Sequence, residues 1–154
     1  MKSEIKEMSK LPSFILVLFG IQLIVFFCIA IKAKKLDLEI LYVLLPVAII
    51  LVFFKMTVII DAKFFKYKLF PFHFIYKEIE WKDVEFVRIA KIDAFSDFLG
   101  WGLRYSKKYG WAYIFNSSDV ILLTLNNGKK LAITIKDKVG IMEFLNDNKI
   151  AFSN

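Results

Sequence analysis

The sequence predicts a membrane-spanning hairpin of two helices, followed by a mainly antiparallel β barrel of about seven strands with a C-terminal α-helix. Two long runs without a charged residue, at residues 11–31 and 40–54, predict the hairpin. Short alternating apolar runs separated by turns predict the barrel. The expected organisation has four parts: an N-terminal arm at 1–10, the hairpin at 11–55, the β domain at 56–150 and a tail at 151–154.

The first apolar run is long enough to cross a bilayer. Its twenty-one residues would cover roughly 30 Å as a helix, the thickness of a bilayer core. A cleaved signal peptide is the rival interpretation, but the run is long for one and no small-residue cleavage pattern follows it. The second run has fifteen uncharged residues, which apolar flanks extend at both ends. We therefore expect spans at about 11–31 and 38–55, joined by a short polar loop.

The distribution of lysines favours cytoplasmic termini. Seven lysines lie in the N-terminal arm and in the segment after the second run, against three in the loop between the runs. Membrane proteins keep an excess of lysine and arginine on the cytoplasmic side. We expect a multi-pass protein of the inner (plasma) membrane, with its termini and its β domain in the cytoplasm.

The charge of the chain fits a membrane surface better than nucleic acid. Its 22 basic and 15 acidic residues give a net charge of +7. Residues 1–54 hold six basic and four acidic residues, and residues 55–154 hold sixteen and eleven. A basic domain tethered to a bilayer suits an anionic leaflet. Nucleic acid is not an expected partner, because the lysines are scattered and only Arg88 and Arg104 are arginines.

Residues that carry catalysis or bind metals are sparse. Cys28, in the first apolar run, is the only cysteine, and His73 is the only histidine. Together they cannot make a zinc site, and one cysteine cannot form an intramolecular disulfide. The sequence holds no glycine-rich phosphate loop and no nucleophile elbow. We therefore expect no cofactor, no metal and no enzymatic activity.

The β domain is predicted from alternation and turn signals taken in order. Apolar residues alternate with lysines through residues 65–69. A second alternation sets Ile75, Lys77, Ile79 and Trp81 against Tyr76, Glu78 and Glu80, while residues 91–99 show no period. The sequence Asn126-Asn127-Gly128 predicts a tight hairpin turn. Asp137 is placed to cap a final amphipathic helix over residues 138–148.

Several motifs in this region resemble those of the bacterial pleckstrin-homology-like (PH-like) domains found on small membrane proteins. The matching motifs share order and spacing over about ninety residues: YKLFPFH at 67–73, IEW at 79–81, GWGLRY at 100–105, GWAY at 110–113 and the hairpin containing Gly128-Lys129. The resemblance implies the barrel fold and a membrane context. It carries over no catalytic site.

The stretch GWGLRYSKKYGW, residues 100–111, raises the question of an aromatic ligand clamp. Antiparallel pairing around Lys108 places Tyr105 opposite Trp111, and period-two alternation then puts both tryptophans on one bulky face. Along that face Trp111 and Trp101 are roughly 13 Å apart, too far for an aromatic pair at 4.5–7 Å. We therefore expect a core wall, with a binding patch as the alternative.

Two groups of basic residues are candidate contact sites. Lys63, Lys66 and Lys68 follow the second predicted span, and each would add on the order of 1 kcal/mol of attraction to an anionic bilayer. A solvated strand face is the alternative for these three. A second group could contact an anion or a protein partner: Arg104, Lys107 and Lys108. For Arg104, a structural salt bridge to Asp97 or Glu85 is the alternative.

These features predict a membrane-anchored binding or scaffold module rather than an enzyme. Such a module would engage a protein partner or an anionic membrane surface, and a protein would bind at an exposed strand edge or beside the C-terminal helix. The alternative is an accessory or assembly subunit of a transporter or envelope enzyme complex that acts through its membrane helices. The expected partners are the lipid bilayer, a protein and anionic lipid headgroups, and an oligomer stays open.

Overall fold

The structure, a computed structural model, describes residues 4–32 and 38–153. The chain forms two compact units. One, here called the apolar unit, is Leu11–Phe54. The other, here called the β unit, combines the residues up to Lys10 with those from Lys55 onward. The apolar unit is therefore an insertion in the sequence of the β unit.

The apolar unit contains two helices, α1 (Ser13–Lys32) and α2 (Leu38–Phe53). By length and composition, α1 could cross a membrane. The sixteen residues of α2 are apolar apart from Glu39, but at 1.5 Å per residue they cover roughly 24 Å, less than the roughly 30 Å of a bilayer core. Of the two expected spans, α1 alone has the required length, and most of the expected polar loop lies outside the described residues.

The first sheet of the β unit has four antiparallel strands in chain order. They are β1 (Glu4–Lys10), β2 (Lys55–Asp61), β3 (Phe64–Phe70) and β4 (Lys77–Glu80). Lys10 pairs with Lys55, and Lys55 pairs in turn with Phe70. The chain therefore leaves the β unit and re-enters it at neighbouring positions on one end of this sheet.

The N-terminal arm has few apolar residues of its own. It forms a strand because it pairs with β2, which supplies the apolar surface. Within β1, Ile5 and Ser9 are buried, while Lys6 and Met8 point outward. The two carboxylate oxygens of Glu7 accept hydrogen bonds from the backbone N–H groups of Lys136 and Asp137, at 2.9 and 2.7 Å. Residues from both ends of the chain therefore stabilise one another.

The second sheet has five strands and is mixed. They are β5 (Val84–Lys91), β6 (Gly102–Ser106), β7 (Gly110–Ile114), β8 (Asp119–Leu125) and β9 (Lys130–Thr134). Their spatial order is β5-β8-β9-β7-β6, and β7 runs parallel to β9 while the other neighbours are antiparallel. A 3₁₀ turn at Trp81–Asp83 joins the two sheets.

Two helices complete the β unit. The short α3 (Ala94–Phe98) lies in the stretch without sequence periodicity and is capped by Asp93, whose carboxylate accepts from two backbone N–H groups. The final helix, α4 (Lys138–Asp147), buries Ile141, Phe144 and Leu145. The Asp137 carboxylate accepts from Gly140 N–H at 2.9 Å, so the predicted N-cap is confirmed.

Two features of the predicted barrel are wrong. The described residues form nine strands instead of about seven, partly because the N-terminal arm adds β1. They form two separate sheets that do not close into a barrel. The β6–β7 hairpin extends the second sheet beyond β9, through the parallel pair of β7 with β9. What the structure confirms is a set of mainly antiparallel strands followed by a C-terminal helix.

The second sheet buries side chains on both faces. On one face, Tyr113 meets Tyr67 of the first sheet, with ring centroids 5.3 Å apart. On the other face, α3 and neighbouring residues cover a smaller cluster that contains Ala112, Ile114 and Ala132. The largest side chains that are fully buried come from both sheets and α4: Phe65, Phe115, Met56, Ile60, Leu69, Ile89, Ile114, Ile121, Leu123, Ile133, Ile135 and Ile141.

The hairpin of β6 and β7 confirms the predicted register but corrects the predicted faces. Leu103 pairs with Tyr113 and Tyr105 with Trp111, as alternation required. Trp101, however, packs with the Ala112 cluster and against Phe95, on the face opposite to Trp111. Positive φ angles before and at the start of β6, 123° at residue 100 and 97° at residue 102, interrupt the alternation there.

Candidate functional site

The three predicted membrane-contact lysines lie in β3 and in the turn before it, but they do not form one group. Lys63 is in the turn between β2 and β3, at the opposite end of the first sheet from Lys55. Lys66 lies 3.5 Å from the carboxylates of both Asp61 and Glu78. Lys68 lies over the ring of Tyr76, 5.4 Å from its centroid. Their role as lipid contacts stays a prediction, and of the three only Lys68 lies in the half of β3 that is nearer to Lys55.

The second predicted group is divided between two faces of the β6–β7 hairpin. Arg104 is exposed, and its guanidinium lies close to Gly100. The ion pairs within 4 Å in the described parts of the chain involve Lys66 and Lys82 rather than Arg104. Lys108 lies over Tyr109, whereas Lys107 lines a hollow beside Trp111. The structure therefore does not bring the three residues together.

A cleft between the two sheets lies beside the β6–β7 hairpin, and we call it the Trp111 cleft. Its volume is about 280 Å³. Its apolar and aromatic lining comes from both sheets: Tyr67, His73, Ile79, Leu103, Trp111, Tyr113, Leu125 and Leu131. Trp111 is 53% exposed, and its ring contacts Tyr105, which is 66% exposed. The prediction that this hairpin forms a wall of the core therefore holds for Tyr113, which is buried. It is wrong for Trp111 and Tyr105 at the outer end of the hairpin.

The rim of the Trp111 cleft is cationic. Lys77 comes from β4, Lys129 from the turn after β8, and Lys130 from β9. No aspartate or glutamate is among the lining side chains in the part of the chain that the structure describes. A second hollow of about 370 Å³ adjoins the cleft and shares Trp111, Lys129 and Lys130 with it. The field around Trp111 therefore favours an anion.

The floor of the cleft is polar but neutral. The Tyr67 and Tyr113 rings pack together with centroids 5.3 Å apart, and burial raises the pKa of both phenols, so neither ionises near neutral pH. The His73 ring packs 6.2 Å from each of these rings. Its backbone N–H donates to the Leu69 carbonyl, and its Nδ1 accepts from Leu69 N–H at 3.4 Å. Burial, and then the charge of Lys77, lower the pKa of His73 and keep it neutral.

Residues 71–76 form an exposed apolar loop between β3 and β4, here called the Phe74 loop. Phe72, Phe74 and Ile75 are 62, 75 and 82% exposed. The loop follows Phe70, which pairs with Lys55, and its Phe74 ring packs edge-on against Phe70 at 6.2 Å. It therefore lies at the end of the first sheet where Lys10 and Lys55 connect to the apolar unit.

Sequence reasoning missed both the Phe74 loop and the Trp111 cleft. Alternation of Ile75, Lys77 and Ile79 predicted a strand there, but β4 begins only at Lys77. The sequence did contain a signal for an exposed turn. Pro71 is followed directly by Phe72 and Phe74, which lie on either side of a histidine. The cleft depends on how the two sheets meet, and no local pattern carries that information.

The described residues show no metal cluster, and three comparisons with known proteins returned no match. No group of three His, Cys, Asp or Glu side chains in residues 4–32 and 38–153 could hold a metal ion. Comparisons with protein-family models, with curated proteins and with solved structures found no match. The resemblance to PH-like domains therefore stays a prediction.

The lowered pKa of His73 makes stability depend on pH. The unfolded chain binds a proton near pH 6.5, where the folded chain still keeps the ring neutral, so protons favour unfolding. This part of the stability is fully present above pH 6.5 and is lost as the pH falls through the lower, folded-state pKa. We expect the melting temperature of the full chain in detergent to fall modestly over that window. His73→Asn, which keeps an acceptor near Leu69 N–H, should flatten the curve, and an unchanged slope would contradict this assignment.

Proposed function

We propose that this chain is a membrane-anchored binding module whose β unit is held against the anionic surface of a bilayer. The observation that carries the proposal is the pairing of Lys10, Lys55 and Phe70 beside the Phe74 loop. It puts an exposed apolar loop at the sheet end from which the chain enters and leaves its apolar unit. The PH-like resemblance supports the same kind of module.

The anchor begins with α1. Its side chains are apolar around the whole helix and are mostly exposed in the chain itself, for example Val17, Ile24 and Ile29. Such a surface is unfavourable in water and favourable in hydrocarbon. We therefore assign α1 as a membrane span.

The pairing of β1 with β2 supports a return span in α2. If α1 alone crossed the bilayer, Lys10 and Lys55 would lie on opposite sides and could not pair. The second helix must therefore bring the chain back. Its roughly 24 Å can be matched by local thinning of the bilayer and by lysines that reach toward the headgroups. The lysine distribution places the β unit on the cytoplasmic side.

The chain connection keeps the Phe74 loop close to the bilayer. Lys10 lies three residues before α1, and Lys55 lies two residues after α2. At no more than about 3.6 Å per residue, these links reach about 7 to 11 Å. The sheet end with the loop is therefore confined to the neighbourhood of the headgroups.

The chemistry of this end suits an anionic interface. Full burial of a large apolar side chain contributes roughly 1.5–3 kcal/mol, and Phe74 and Ile75 can contribute part of that in the interface. Each nearby lysine adds about 1 kcal/mol on an anionic surface, and Lys10, Lys55 and Lys68 are placed to do so. Together these contributions would hold the β unit against the bilayer.

The test measures the depth of two positions at opposite ends of one sheet. In full-length chains that carry Cys28→Ser, Phe74→Cys and Lys63→Cys are each labelled with a polarity-sensitive fluorophore and reconstituted in anionic vesicles. We expect brominated lipids to quench the label at position 74 and aqueous iodide to quench the label at position 63.

Other outcomes would contradict the proposal in distinguishable ways. Equal quenching by iodide at both positions would show that the loop stays in water. A label at position 74 that is exposed in protein-free vesicles but protected in native membranes would favour a protein partner. For the return span, Lys34→Cys should react with an impermeant reagent from the side opposite to Lys63→Cys, and reaction from the same side would refute it.

A further inference from the structure

We propose that the Trp111 cleft binds one amphiphilic anion, a molecule with a phosphate or carboxylate group joined to a short apolar chain. This goes beyond the proposed function, because the cleft lies within the β unit and does not require the Phe74 loop to contact lipid.

The shape of the cleft selects a small ligand. Its 280 Å³ is close to the lower end of the roughly 300–1,000 Å³ range of small-molecule sites, and the adjoining hollow offers about 370 Å³ more. The walls from Ile79, Leu103 and Leu131 are apolar. A space of this size takes an anionic group with a few attached carbons, and it is too small for a folded partner.

The polar groups of the cleft are matched to an anion. The Tyr67 and Tyr113 phenols both line the cleft, and a phenolic O–H can donate a hydrogen bond to a ligand oxygen. Lys77, Lys129 and Lys130 line the cleft and supply positive charge, with the Lys130 ammonium donating one hydrogen bond to the Lys108 carbonyl at 3.4 Å, and the lining described above brings no carboxylate to neutralise this charge. Charge-assisted hydrogen bonds of this kind are stronger than neutral ones.

Trp111 provides the surface on which the apolar part of the ligand would lie. Its indole stands between the cleft and the adjoining hollow and is about half exposed, with Tyr105 packed edge-on against it at 5.5 Å. An exposed tryptophan within a cationic hollow marks a binding surface rather than a core. A short alkyl chain lying on the indole would cover it while its anionic group reaches Lys129 and Lys130.

Two sources could supply this chemistry, and they can be separated. One is an anionic lipid of the adjacent bilayer, since His73 of the Phe74 loop also lines the cleft. The other is a soluble amphiphile. The probe for the soluble source is hexyl phosphate, and the probe for the lipid source is phosphatidylglycerol in the bilayer.

The experiment uses the full chain in phosphatidylcholine nanodiscs, with 5-fluorotryptophan incorporated for ¹⁹F NMR. The Trp111 resonance is identified by its loss in Trp111→Phe. We expect it to shift saturably with hexyl phosphate and to shift much less with inorganic phosphate or with hexanol.

Lys129→Gln with Lys130→Gln should weaken hexyl phosphate binding about tenfold. The matched pair Lys63→Gln with Lys91→Gln removes the same charge from exposed positions outside both hollows and should leave binding unchanged.

The lipid arm replaces part of the phosphatidylcholine with phosphatidylglycerol and omits hexyl phosphate. A Trp111 shift that the Lys129/Lys130 pair abolishes assigns the lipid as the source, whereas a response to hexyl phosphate alone assigns a soluble ligand. Equal effects of the two lysine pairs, an equal shift with hexanol or phosphate, or no shift with either probe would overturn the site. Phe74→Ser separates the two proposals, because it should weaken bilayer contact and leave hexyl phosphate binding intact.

Discussion

A chain that begins at Lys55 should not fold into a stable soluble domain, whereas residues 1–10 joined to Lys55 through a short Asn-Gly turn should restore the fold. The strand β1 covers one edge of β2 over seven paired residues. Without it, β2 exposes an unpaired apolar edge, and the Glu7 carboxylate no longer binds the backbone before α4. Circular dichroism, thermal melting and amide NMR dispersion of the two soluble proteins would measure the difference.

The controls for this result lie within β1. Ile5→Asp in the joined protein should remove most of the gain, because Ile5 is buried, while Lys6→Asp at the exposed neighbouring position should keep it. Equal cooperative melting with and without residues 1–10 would show that β1 is dispensable. It would also remove the argument for a return span, since that argument depends on β1 and β2 being paired.

Gly110→Ala should destabilise the β unit by at least about 3 kcal/mol, and Gly128→Ala by only about 1 kcal/mol. Both glycines have left-handed φ angles, 70° and 78°, so an added methyl group is strained at each. At Gly110 the methyl would also collide with the carbonyl oxygen of Lys130 and lie 2.7 Å from its carbonyl carbon, whereas at Gly128 nothing lies within 4 Å. Denaturant unfolding of the joined soluble protein would measure both values.

The Gly128 variant is the matched control, because it carries the conformational strain without the collision. A difference well below 1 kcal/mol between the two variants would mean that β9 can move away from β7 at little cost. The parallel pairing of these strands would then be too loose to keep Trp111 and Lys130 on two sides of one hollow.

Local pattern predicted those parts of the fold that depend on near neighbours in sequence. The register of β6 with β7 followed from one set of alternating aromatic residues, and Asp137 followed from the need of a helix for an N-terminal cap. Trp101 was assigned to the wrong face because the backbone at Gly100 and Gly102 adopts positive φ angles that alternation cannot anticipate.

The parts that escaped prediction depend on distant segments. β1 has only Ile5 and Met8 as large apolar residues, and its partner follows some forty-five residues later, so the arm carries little strand signal of its own. The parallel contact of β7 with β9 and the meeting of the two sheets are likewise non-local. The candidate cleft was missed for this reason, although its Lys107 neighbour and the hairpin that carries Trp111 had been singled out.

Because the apolar unit is inserted between β1 and β2, it determines when the first sheet can form. During synthesis β1 precedes both helices, and its partner β2 is not complete until Asp61 has been added, after both helices have been synthesised. On the proposed topology, the β1–β2 pair can close only when both helices have been inserted and the chain has returned to its starting side. Closure of the sheet would then report correct insertion, and a chain with one helix misplaced would keep an open strand edge for quality-control proteases to find.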